Sequence, residues 1–393
     1  MKVLFISNLF PDTTNPNLGI YNAQLLRHLS MLCEIRVLAL RPTRGYPPFW
    51  FPKKFCRRQE DKIFEPTFAP SAYVPKIGSR FNHLLMARSI EPALRSIRGK
   101  FPFHVVLSSW IYPDACATAD LARRHRFPFV AIAQGSDVHQ YMKIPARRII
   151  VSDALSQSSA VVARSHDLAR QLNEAGVSKS KVHVIYNGVD FQTFHPANRS
   201  VVRKDLGLAA EAVVLLFVGN FLPIKNPLLL VEAHAALCRN QPGKKFILVM
   251  IGTGPLVNNV EQRAKVLGTD HLILSLGAKP SHEVARYMQA ADLLCVPSEN
   301  EGVPNVILEA IACGQRVVAR KVGGIPEILA QDFLGRLVAQ NDASVMAKAI
   351  ADGLFGTPET ERIAQYARKF SWEATAQNYF KLLQTAIEPT SSI

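Results

Sequence analysis

The chain has 393 residues, of which 48% are hydrophobic and 20% are charged. This length favours two domains of somewhat under 200 residues each, and the composition excludes a disordered or fibrous protein. The net charge of +15 lies almost entirely in the first half, since residues 1–198 carry +13 and residues 199–393 carry +2. We therefore expect an anionic partner for the first half, either a nucleic acid or an anionic membrane.

Targeting signals and metal-binding patterns are not evident. The longest apolar runs, such as residues 213–218, have the length of a strand and are too short to cross a bilayer. Residues 2–8 have the pattern of a first strand and not of a signal peptide. The six cysteines show no Cys-x-x-Cys spacing, which is typical of reduced thiols in a cytoplasmic protein. We expect a cytoplasmic protein without a bound metal.

The first half begins as an alternating α/β domain. Residues 3–7 predict a buried strand, residues 21–31 an amphipathic helix and residues 34–40 a second strand. The loop between the first strand and the helix ends in Gly19, and such a loop can bring backbone N–H groups close to a phosphate. An ordinary strand-to-helix connection explains Gly19 at least as well.

Residues 41–58 depart from this regularity. Phe49, Trp50 and Phe51 lie among prolines and are flanked by six basic residues. This composition fits a lipid headgroup interface, where aromatic rings are buried and cations meet anionic lipid. The alternative is a loop whose aromatic side chains pack on the domain. The charge of the first half favours the membrane surface.

Two later strands of the first half are predicted to end in polar residues, in residues 103–115 and 129–139. The carboxyl ends of strands in a doubly wound sheet line the ligand crevice. Candidates for binding an acceptor are therefore Trp110, Asp114, Gln134, Ser136, Asp137 and His139. Asp137 fits a helix cap equally well.

The second half contains two strand–loop units of the same kind. Residues 212–227 predict a strand, a loop and the start of a helix, with Gly219, Asn220 and Lys225 in the loop. Residues 246–255 predict a strand that ends in the turn Gly252-Thr253-Gly254, which alone is a weak signal.

Residues 296–314 are the most informative stretch. They predict the end of a strand over residues 293–296, a loop that carries Glu301, and a helix over residues 305–313 that carries Glu309. Pro304 suits a first helical position, and Gly314 suits a left-handed helix stop.

The start of this helix is suited to an anionic ligand. Helix N-termini present free N–H groups and a positive dipole end to phosphate. Because Pro304 has no N–H, the amides must come from its neighbours within residues 302–306. Glu309 can accept hydrogen bonds from two ribose hydroxyls, and Glu301 can hold a sugar hydroxyl. This arrangement suits a nucleotide diphosphate-sugar, whereas two solvated glutamates are the alternative.

Together with residues 276–298 and 315–328, this stretch resembles the donor-binding half of the retaining GT-B glycosyltransferases of family 4. Their signature is a Glu, seven residues and a second Glu, and the resemblance recurs along most of the chain. It implies an α/β protein with the GT-B fold, which has two Rossmann-like domains and a C-terminal helix that crosses back to the first. The implied domains are an acceptor-binding domain (1–198), a nucleotide-sugar-binding domain (199–370) and the returning helix (371–393).

The resemblance also implies a reaction and a set of residues. The reaction moves a sugar from a nucleotide diphosphate-sugar to an acceptor hydroxyl with retention of configuration, without a metal or other cofactor. The implied catalytic residues are Glu301, Lys225, Gln134 and Asp137, and Trp110, Asp114, Ser136 and His139 would bind the acceptor. The implied donor-binding residues are Gly19, Gly219, Asn220, Lys225, Gly252, Gly254, Glu301, Gly302, Val303, Asn305, Val306 and Glu309.

The chain departs from the family pattern at three positions. Gln134 stands where similar enzymes often have His, Asn220 replaces an Arg, and Asn226 replaces a Gly. A glutamine cannot take a proton near neutral pH, so we expect a donor phosphate oxygen to act as the base and Gln134 to position a hydroxyl. Lys225 would be helped at the phosphates by the helix at Asn305, or by Arg320 or Lys321, although we favour two solvated side chains as the interpretation of Arg320 and Lys321.

The basic first half and the family resemblance together indicate a lipid-linked or glycan acceptor. We expect a role in cell-surface polysaccharide or glycolipid synthesis at the cytoplasmic membrane face, and no nucleic-acid partner, because no recognised binding module is present. The alternatives are a nucleotide-sugar epimerase on the same fold and a non-catalytic basic scaffold that binds membrane or nucleic acid.

Overall fold

The computed structural model describes residues 1–44, 57–75, 77–357 and 359–388. The chain divides into two compact units, Met1–Asn187 with Trp372–Ile393, and Gly188–Ser371. The boundary that we placed after residue 198 lies a short way inside the second unit. The second unit interrupts the first, and its two ends meet in a parallel bridge between Val189 and Ser371.

The first unit is built on a seven-stranded parallel sheet. Its strands are β1 (Lys2–Ser7), β2 (Glu34–Arg44), β3 (Thr67–Tyr73), β4 (Val105–Ser109), β5 (Phe129–Ala133), β6 (Ala160–Ala163) and β7 (Val182–Val184), in the order β3-β2-β1-β4-β5-β6-β7. Its helices are α1 (Ile20–Leu29), α2 (Asn82–Lys100), α3 (Cys116–His125), α4 (Ser136–Tyr141), α5 (Pro145–Ser156), α6 (His166–Glu174) and α15 (Trp372–Ile387).

Both faces of this sheet are covered, which explains why its strands are almost continuously apolar. In β1, Leu4 belongs to the buried cluster of one face and Phe5 to the cluster of the other. The cluster around Phe5 also contains Trp372, Tyr379 and Leu383 of α15. The last helix therefore completes the core of the first unit.

The second unit is built on a six-stranded parallel sheet. Its strands are β8 (Val213–Val218), β9 (Phe246–Ile251), β10 (Ile273–Ser275), β11 (Leu293–Val296), β12 (Val317–Arg320) and β13 (Gly335–Val338), in the order β10-β9-β8-β11-β12-β13. Its helices are α7 (Arg199–Asp205), α8 (Pro227–Asn240), α9 (Val257–Val266), α10 (Ser281–Ala290), α11 (Asn305–Ala312), α12 (Ile325–Ile328), α13 (Ala343–Gly353) and α14 (Thr360–Ala367). The expected α/β class with two Rossmann-like sheets is confirmed.

In each sheet the strand order reverses at one point, between β1 and β4 in the first and between β8 and β11 in the second. Ligands of open α/β sheets bind outside the carboxyl ends of the strands at such points. The topology therefore directs attention to the loops that follow β1, β4 and β5 in the first unit and β8, β9, β11 and β12 in the second.

Strand β2 is longer than we expected. The sequence suggested that regular structure ends at residue 40, but β2 continues to Arg44 and pairs with β3, with Leu38 opposite Thr67. The polar residue that suggested a strand end, Arg41, is buried and donates to both Asp12 Oδ2 and the carbonyl of Phe10.

Of the segment proposed to bind lipid, residues 41–58, the structure describes only the two ends. Residues 45–56, which include Phe49, Trp50 and Phe51, lie outside the described residues. Among the residues described, no helix combines the length and apolar character needed to cross a bilayer. The five cysteines in that part of the chain are all unpaired thiols.

Candidate active site

The loops that follow β8 and β9 are held together by their backbones. Gly219 N–H donates to Ile251 O (2.9 Å) and Phe221 N–H to Thr253 O (2.8 Å). Gly252 has a φ of +141°, and a Cβ there would lie 1.9 Å from Gly219 O. A side chain at this position would therefore force the two loops apart. The close packing of the two loops therefore explains why position 252 is a glycine, without reference to any ligand.

The loop after β11 is fixed on both sides in the same way. Glu299 N–H donates to Ile224 O in the β8 loop, and Gly324 N–H donates to Gly302 O, both at 2.8 Å. A Cβ on Gly323, whose φ is +52°, would lie 1.7 Å from Glu301 O. The loops that follow β8, β9, β11 and β12 thus form one connected edge, which we call the donor edge.

Lys225 and Glu301 form an ion pair on the donor edge. Lys225 Nζ lies 2.5 Å from Glu301 Oε1, and both side chains are more buried than exposed. The sequence placed both residues in the site but did not predict their contact. The cation expected to meet the phosphates and the carboxylate expected to meet the sugar are therefore neighbours.

Helix α11 begins a few residues after Glu301 in the chain. It runs from Asn305 to Ala312, and Pro304 is its N-cap and not its first helical residue as predicted. Gly314 has a φ of +76°, as expected for a left-handed stop. Glu309 lies one turn inside the helix and is half-buried. The predicted donor residues Gly302, Val303, Asn305 and Val306 are all partly exposed around the helix start.

The other predicted cations and loop residues occupy different positions on the donor edge. Arg320, at the end of β12, is buried and donates to Asn341 Oδ1 and Ala339 O. Asn226 donates to the same Asn341 oxygen at 3.0 Å. Asn220 is exposed on the β8 loop. The buried position of Arg320 contradicts the view of it as a solvated side chain.

In the first unit, the strand-end residue Gln134 lies in a hydrogen-bond network with the helix α1. Gln134 Nε2 donates to Asn22 Oδ1 (2.9 Å) and to Ser109 Oγ (2.7 Å). Asn22 Nδ2 donates to the carbonyl of Leu9 (2.8 Å), and Ser109 Oγ donates to Asn22 Oδ1 (3.3 Å). The network joins the loop after β1, the start of α1 and the ends of β4 and β5.

The direction of each hydrogen bond in this network follows from the carbonyl of Leu9. Because Leu9 O can only accept, Asn22 must turn its NH2 group towards Leu9 and its oxygen towards Gln134. Gln134 must then turn its own NH2 group towards Asn22. Gln134 Oε1 then remains as the atom that can accept a hydrogen bond from a hydroxyl group. The Gln134 side chain is half-buried.

The two predicted carboxylates of the first unit are fully buried. Asp137 accepts hydrogen bonds from the backbone N–H groups of Ile111, Gln134, Gly135 and Val138. Burial raises the pKa of its carboxyl, although these bonds oppose the rise. This geometry favours a structural role for Asp137 at the start of α4, although the N-cap of that helix is Gly135, because both carboxylate oxygens accept backbone N–H groups.

Asp114 is also held by the protein itself. Its Oδ2 accepts the N–H of Asn8 at 2.7 Å and faces Ser7 Oγ at 3.4 Å. Burial raises its pKa to about 8, and the nearby Asp137 carboxylate adds to the rise. The structure therefore places Asp114 beneath the loop after β1 and not on the surface that an acceptor would meet.

The remaining acceptor candidates are arranged around this network. Trp110 follows β4 with a φ of +79°, an unusual conformation for a tryptophan, and its ring packs edge-on against Tyr141 at 6.3 Å. Ser136 is exposed at the start of α4. His139 is buried inside α4, and its Nδ1 pairs with Gln171 Oε1 at 3.1 Å.

Gly19 ends the loop after β1 and has a φ of +66°. A Cβ there would lie 2.1 Å from Leu9 O, the carbonyl that orients Asn22. The start of this loop is anchored by the buried ion pair of Asp12 with Arg41, at 2.7 Å. Burial alone would raise the pKa of Asp12, but hydrogen bonds from Thr14 and Arg41 outweigh it and lower that pKa.

Sequence reasoning missed Asn22 and Ser109. A signal for Asn22 was present, because this polar residue lies on the same helical stripe as Leu25, Leu26 and Leu29, all of which are buried. Within the described part of the chain, no cluster of three or more His, Cys, Asp or Glu side chains is arranged to hold a metal ion.

Comparison with known proteins adds the family. Residues 198–370 match the model of glycosyl transferases group 1, and residues 18–193 match that of glycosyltransferase family 4. The D-inositol 3-phosphate glycosyltransferase of Frankia alni is 32% identical over 76% of this chain and 78% of its own length. That of Kribbella flavida is 33% identical over 62% of this chain, and the match spans only 60% of the Kribbella protein.

Solved structures agree on the fold. HepE of Anabaena in complex with UDP has a TM-score of 0.75 at 20% identity and matches 98% of this chain and 100% of its own. Sucrose-phosphate synthase of Thermosynechococcus elongatus has a TM-score of 0.76 at 20% identity, with 98% of each chain covered. These likenesses confirm the expected GT-B fold. The chain therefore belongs to the group 1 glycosyltransferases of family 4.

Proposed function

We propose that this protein transfers a sugar from a nucleotide diphosphate-sugar to an acceptor hydroxyl, with retention of configuration at the anomeric carbon. The observation that carries the proposal is the Lys225–Glu301 ion pair beside the start of α11. It places a cation, a carboxylate and a helix N-terminus on one rigid edge of a parallel sheet, where a diphosphate and a sugar can be held side by side.

On the donor side, Lys225 meets the diphosphate and exchanges its partner Glu301 for the phosphate oxygens. The positive end of α11 and the amides around Gly302 share the charge of the leaving group, so the reaction needs no metal ion. Glu301 accepts a hydrogen bond from a hydroxyl of the sugar, and Glu309 accepts hydrogen bonds from the two hydroxyls of the ribose.

On the acceptor side, Gln134 positions the attacking hydroxyl group through Oε1. An amide cannot accept a proton near neutral pH, so the proton passes to an oxygen of the departing diphosphate on the same face of the sugar. The orientation of Gln134, fixed by Asn22 and Ser109, supports this assignment because it offers an acceptor and not a donor to the hydroxyl.

The comparisons suggest which ligands to test first. HepE of Anabaena was solved with UDP and with UDP-glucose, so uridine nucleotides head the donor panel. Several curated relatives are D-inositol 3-phosphate glycosyltransferases, so D-inositol 3-phosphate is the first soluble acceptor to try.

The test begins with donor binding. Thermal-shift screening against UDP-, ADP- and GDP-sugars should single out one base, and calorimetry should show that Glu309→Gln weakens that ligand. Transfer by the intact protein should persist in EDTA, and the product should keep the anomeric configuration of the donor by NMR. An inverted product, or transfer that stops in EDTA and returns with Mg²⁺, would contradict the proposed mechanism.

We also propose that the natural acceptor is carried by a membrane, as in the assembly of cell-surface polysaccharide or glycolipid at the cytoplasmic face. The support is the charge of +13 on residues 1–198. Transfer to acceptors in extracted bacterial lipid, compared with the same extract after its anionic lipids are removed, tests this step. Failure to transfer sugar to either extract, while a soluble acceptor is glycosylated, would argue against it.

A further inference from the structure

The second unit contains a cleft at which the ends of four helices meet. Helices α7 and α14 begin there with Arg199 and Thr360, and helices α10 and α11 end beside it. The cleft has a volume of about 260 Å³, and its wall also includes Met288, Gln289, Cys313 and Gln315. We call it the helix-end cleft.

Helix α11 separates the helix-end cleft from the donor edge. Its first residue, Asn305, lies on the donor edge, whereas Gly314, just after its last turn, lines the cleft. Its 8 residues span about 12 Å. Gln315 also lies just before the amino end of β12, and the donor edge follows the carboxyl end of that strand. A ligand in the cleft would therefore occupy a different site from the donor.

Gln315 is a buried amide on the wall of the cleft. It is 2% exposed, and neither its Nε2 nor its Oε1 makes a hydrogen bond to any residue that the structure describes. An unpaired amide in a protein interior is costly, so both atoms are expected to have a partner. Because Gln315 lines the cleft, an occupant of the cleft can be that partner. One donor group and one acceptor atom together suit the hydroxyl groups of a sugar.

Arg199 brings a positive charge to the same cleft. Its Nη1 donates to Asp292 Oδ1 at 2.9 Å, and within the described part of the chain this guanidinium makes no other hydrogen bond. Asp292 is shared with Arg203, whose Nη2 donates to Oδ2 at 2.6 Å. Two guanidinium groups thus share one carboxylate, and the three side chains together carry a net positive charge. The Arg199 side chain is 33% exposed, so its remaining N–H groups can reach a ligand.

The rest of the wall suits a compact organic molecule. Two helices begin and two end at the cleft, so their dipoles largely offset one another and the side chains set its charge. Met288 and Cys313 contribute apolar atoms that a ring can cover. The volume of about 260 Å³ exceeds that of an engineered cavity of about 150 Å³ that binds benzene, so a single sugar ring has room.

We propose that the helix-end cleft binds a phosphorylated monosaccharide, with its phosphate on Arg199 and its hydroxyl groups on the Gln315 amide. Arginine forms paired N–H···O bonds with phosphate oxygens, which makes it a strong partner for this group. Phosphate alone would leave the Gln315 amide unpaired, and a neutral sugar would leave the charge of Arg199 unmatched. The site goes beyond the proposed reaction, in which neither residue takes part.

The experiment is calorimetry of the full chain, with and without saturating UDP, against glucose 6-phosphate, glucose 1-phosphate and galactose 1-phosphate. Inorganic phosphate and glucose are tested as separate arms. We expect at least one hexose phosphate to bind with one site per chain whether or not UDP is present. Inorganic phosphate and glucose should each bind about tenfold or more weakly, because each lacks one of the two sets of contacts.

Two variants locate the ligand. Arg199→Gln and Gln315→Leu should each weaken the hexose phosphate by about tenfold or more. The affinity of Arg199→Gln should approach that for glucose, and the affinity of Gln315→Leu should approach that for inorganic phosphate. Gln315→Leu should melt at no lower temperature than the unchanged protein, because leucine leaves no polar atom unpaired at this buried position. A ligand-binding role therefore differs from a structural one in its effect on stability.

Matched variants of α9 serve as controls. Arg263 is also paired with a carboxylate, that of Glu232 at 2.7 Å, and Gln262 is exposed beside it. Arg263→Gln and Gln262→Leu should bind the hexose phosphate like the unchanged protein. Circular dichroism and UDP calorimetry on every variant separate a lost ligand from lost folding or lost donor binding.

Four outcomes would overturn the proposal. The folded protein could bind no hexose phosphate of the panel, or UDP could displace the one that binds, which would place it on the donor edge. Inorganic phosphate could bind as tightly as the hexose phosphate, which would leave Gln315 without a role. Binding could also survive both Arg199→Gln and Gln315→Leu, which would place the ligand elsewhere on the protein.

The same measurements keep this proposal apart from the proposed reaction. If the protein binds no UDP, the proposed donor site fails, and the arm without UDP and the two cleft variants still decide the helix-end cleft. If UDP binds and sugar is transferred while no hexose phosphate binds, the proposed reaction stands and the cleft proposal fails.

Discussion

The Lys225–Glu301 pair gives the sharpest test of the donor edge. The two side chains are 30% and 10% exposed, so their contact is only partly screened by water. If Lys225 meets the diphosphate, Lys225→Met removes a charge-assisted contact worth about 1.5–3 kcal/mol. UDP affinity should fall roughly 10- to 150-fold.

Glu301→Gln should have the opposite effect on UDP affinity. It frees Lys225 from its partner and removes a negative charge from beside the diphosphate. Because a partly exposed ion pair is worth about 0–1 kcal/mol, UDP affinity should stay equal or rise by up to about fivefold. Turnover with the complete nucleotide sugar should nevertheless fall, since the sugar loses its carboxylate.

The double variant Lys225→Met/Glu301→Gln completes the cycle. It should bind UDP more tightly than Lys225→Met, in which the carboxylate remains beside the anionic ligand without its cation. Calorimetry at one fixed salt concentration measures all four affinities. Lys244→Met, an exposed lysine just before the amino end of β9, is the matched control and should change nothing. Equal losses in Lys225→Met and Glu301→Gln would refute the division of roles.

Three further predictions follow from the site. Glu309→Gln should weaken UDP by about 1.5–3 kcal/mol, and calorimetry should show that the variant no longer prefers UDP to 2′-deoxy-UDP; a preserved preference would remove Glu309 from the ribose. Because the folded pKa of Asp114 is about 8, above its ordinary 3.8, folded protein keeps a proton that unfolded protein releases between these values, and stability falls as pH rises through this window. Urea unfolding should therefore show that Asp114→Asn gains at least about 1.4 kcal/mol more at pH 8 than at pH 5, and an equal effect at both would contradict the raised pKa. In transfer assays Gln134→Ala should lose more than tenfold in turnover and His139→Ala less, about 1.4 kcal/mol of barrier marking the division; a thousandfold loss in His139→Ala with intact donor binding would make the histidine the base.

Local sequence patterns predicted much of the fold. The strand predicted over residues 293–296 is β11 (Leu293–Val296), and the helix predicted over 305–313 is α11 (Asn305–Ala312). Both are short apolar segments bounded by Pro, Gly or Asp, so the flanking residues indicate where each element begins and ends. Gly314 has the left-handed conformation that its position after the helix required.

Features that depend on distant residues were not predictable. Arg41 looks like the end of a strand, yet β2 continues because the Arg41 guanidinium is neutralised by Asp12, which lies on another loop. The contact of Lys225 with Glu301 likewise joins two loops that only the strand order brings together. Sequence reasoning named both residues of that pair from their loops but had no means of pairing them.

The interruption of the first unit by the second has a consequence for how the protein is made. The core around Phe5 needs Trp372 and Tyr379, which leave the ribosome only after the whole second unit has been synthesised. At about 5–20 residues per second this delay is on the order of ten seconds or more. The second unit, by contrast, is contiguous, and its ends are joined where Val189 N–H donates to Phe370 O at 2.8 Å. Limited proteolysis of ribosome-bound chains of increasing length would reveal which core closes first. We expect the later half to fold before the earlier one, so that the order of folding reverses the order of synthesis.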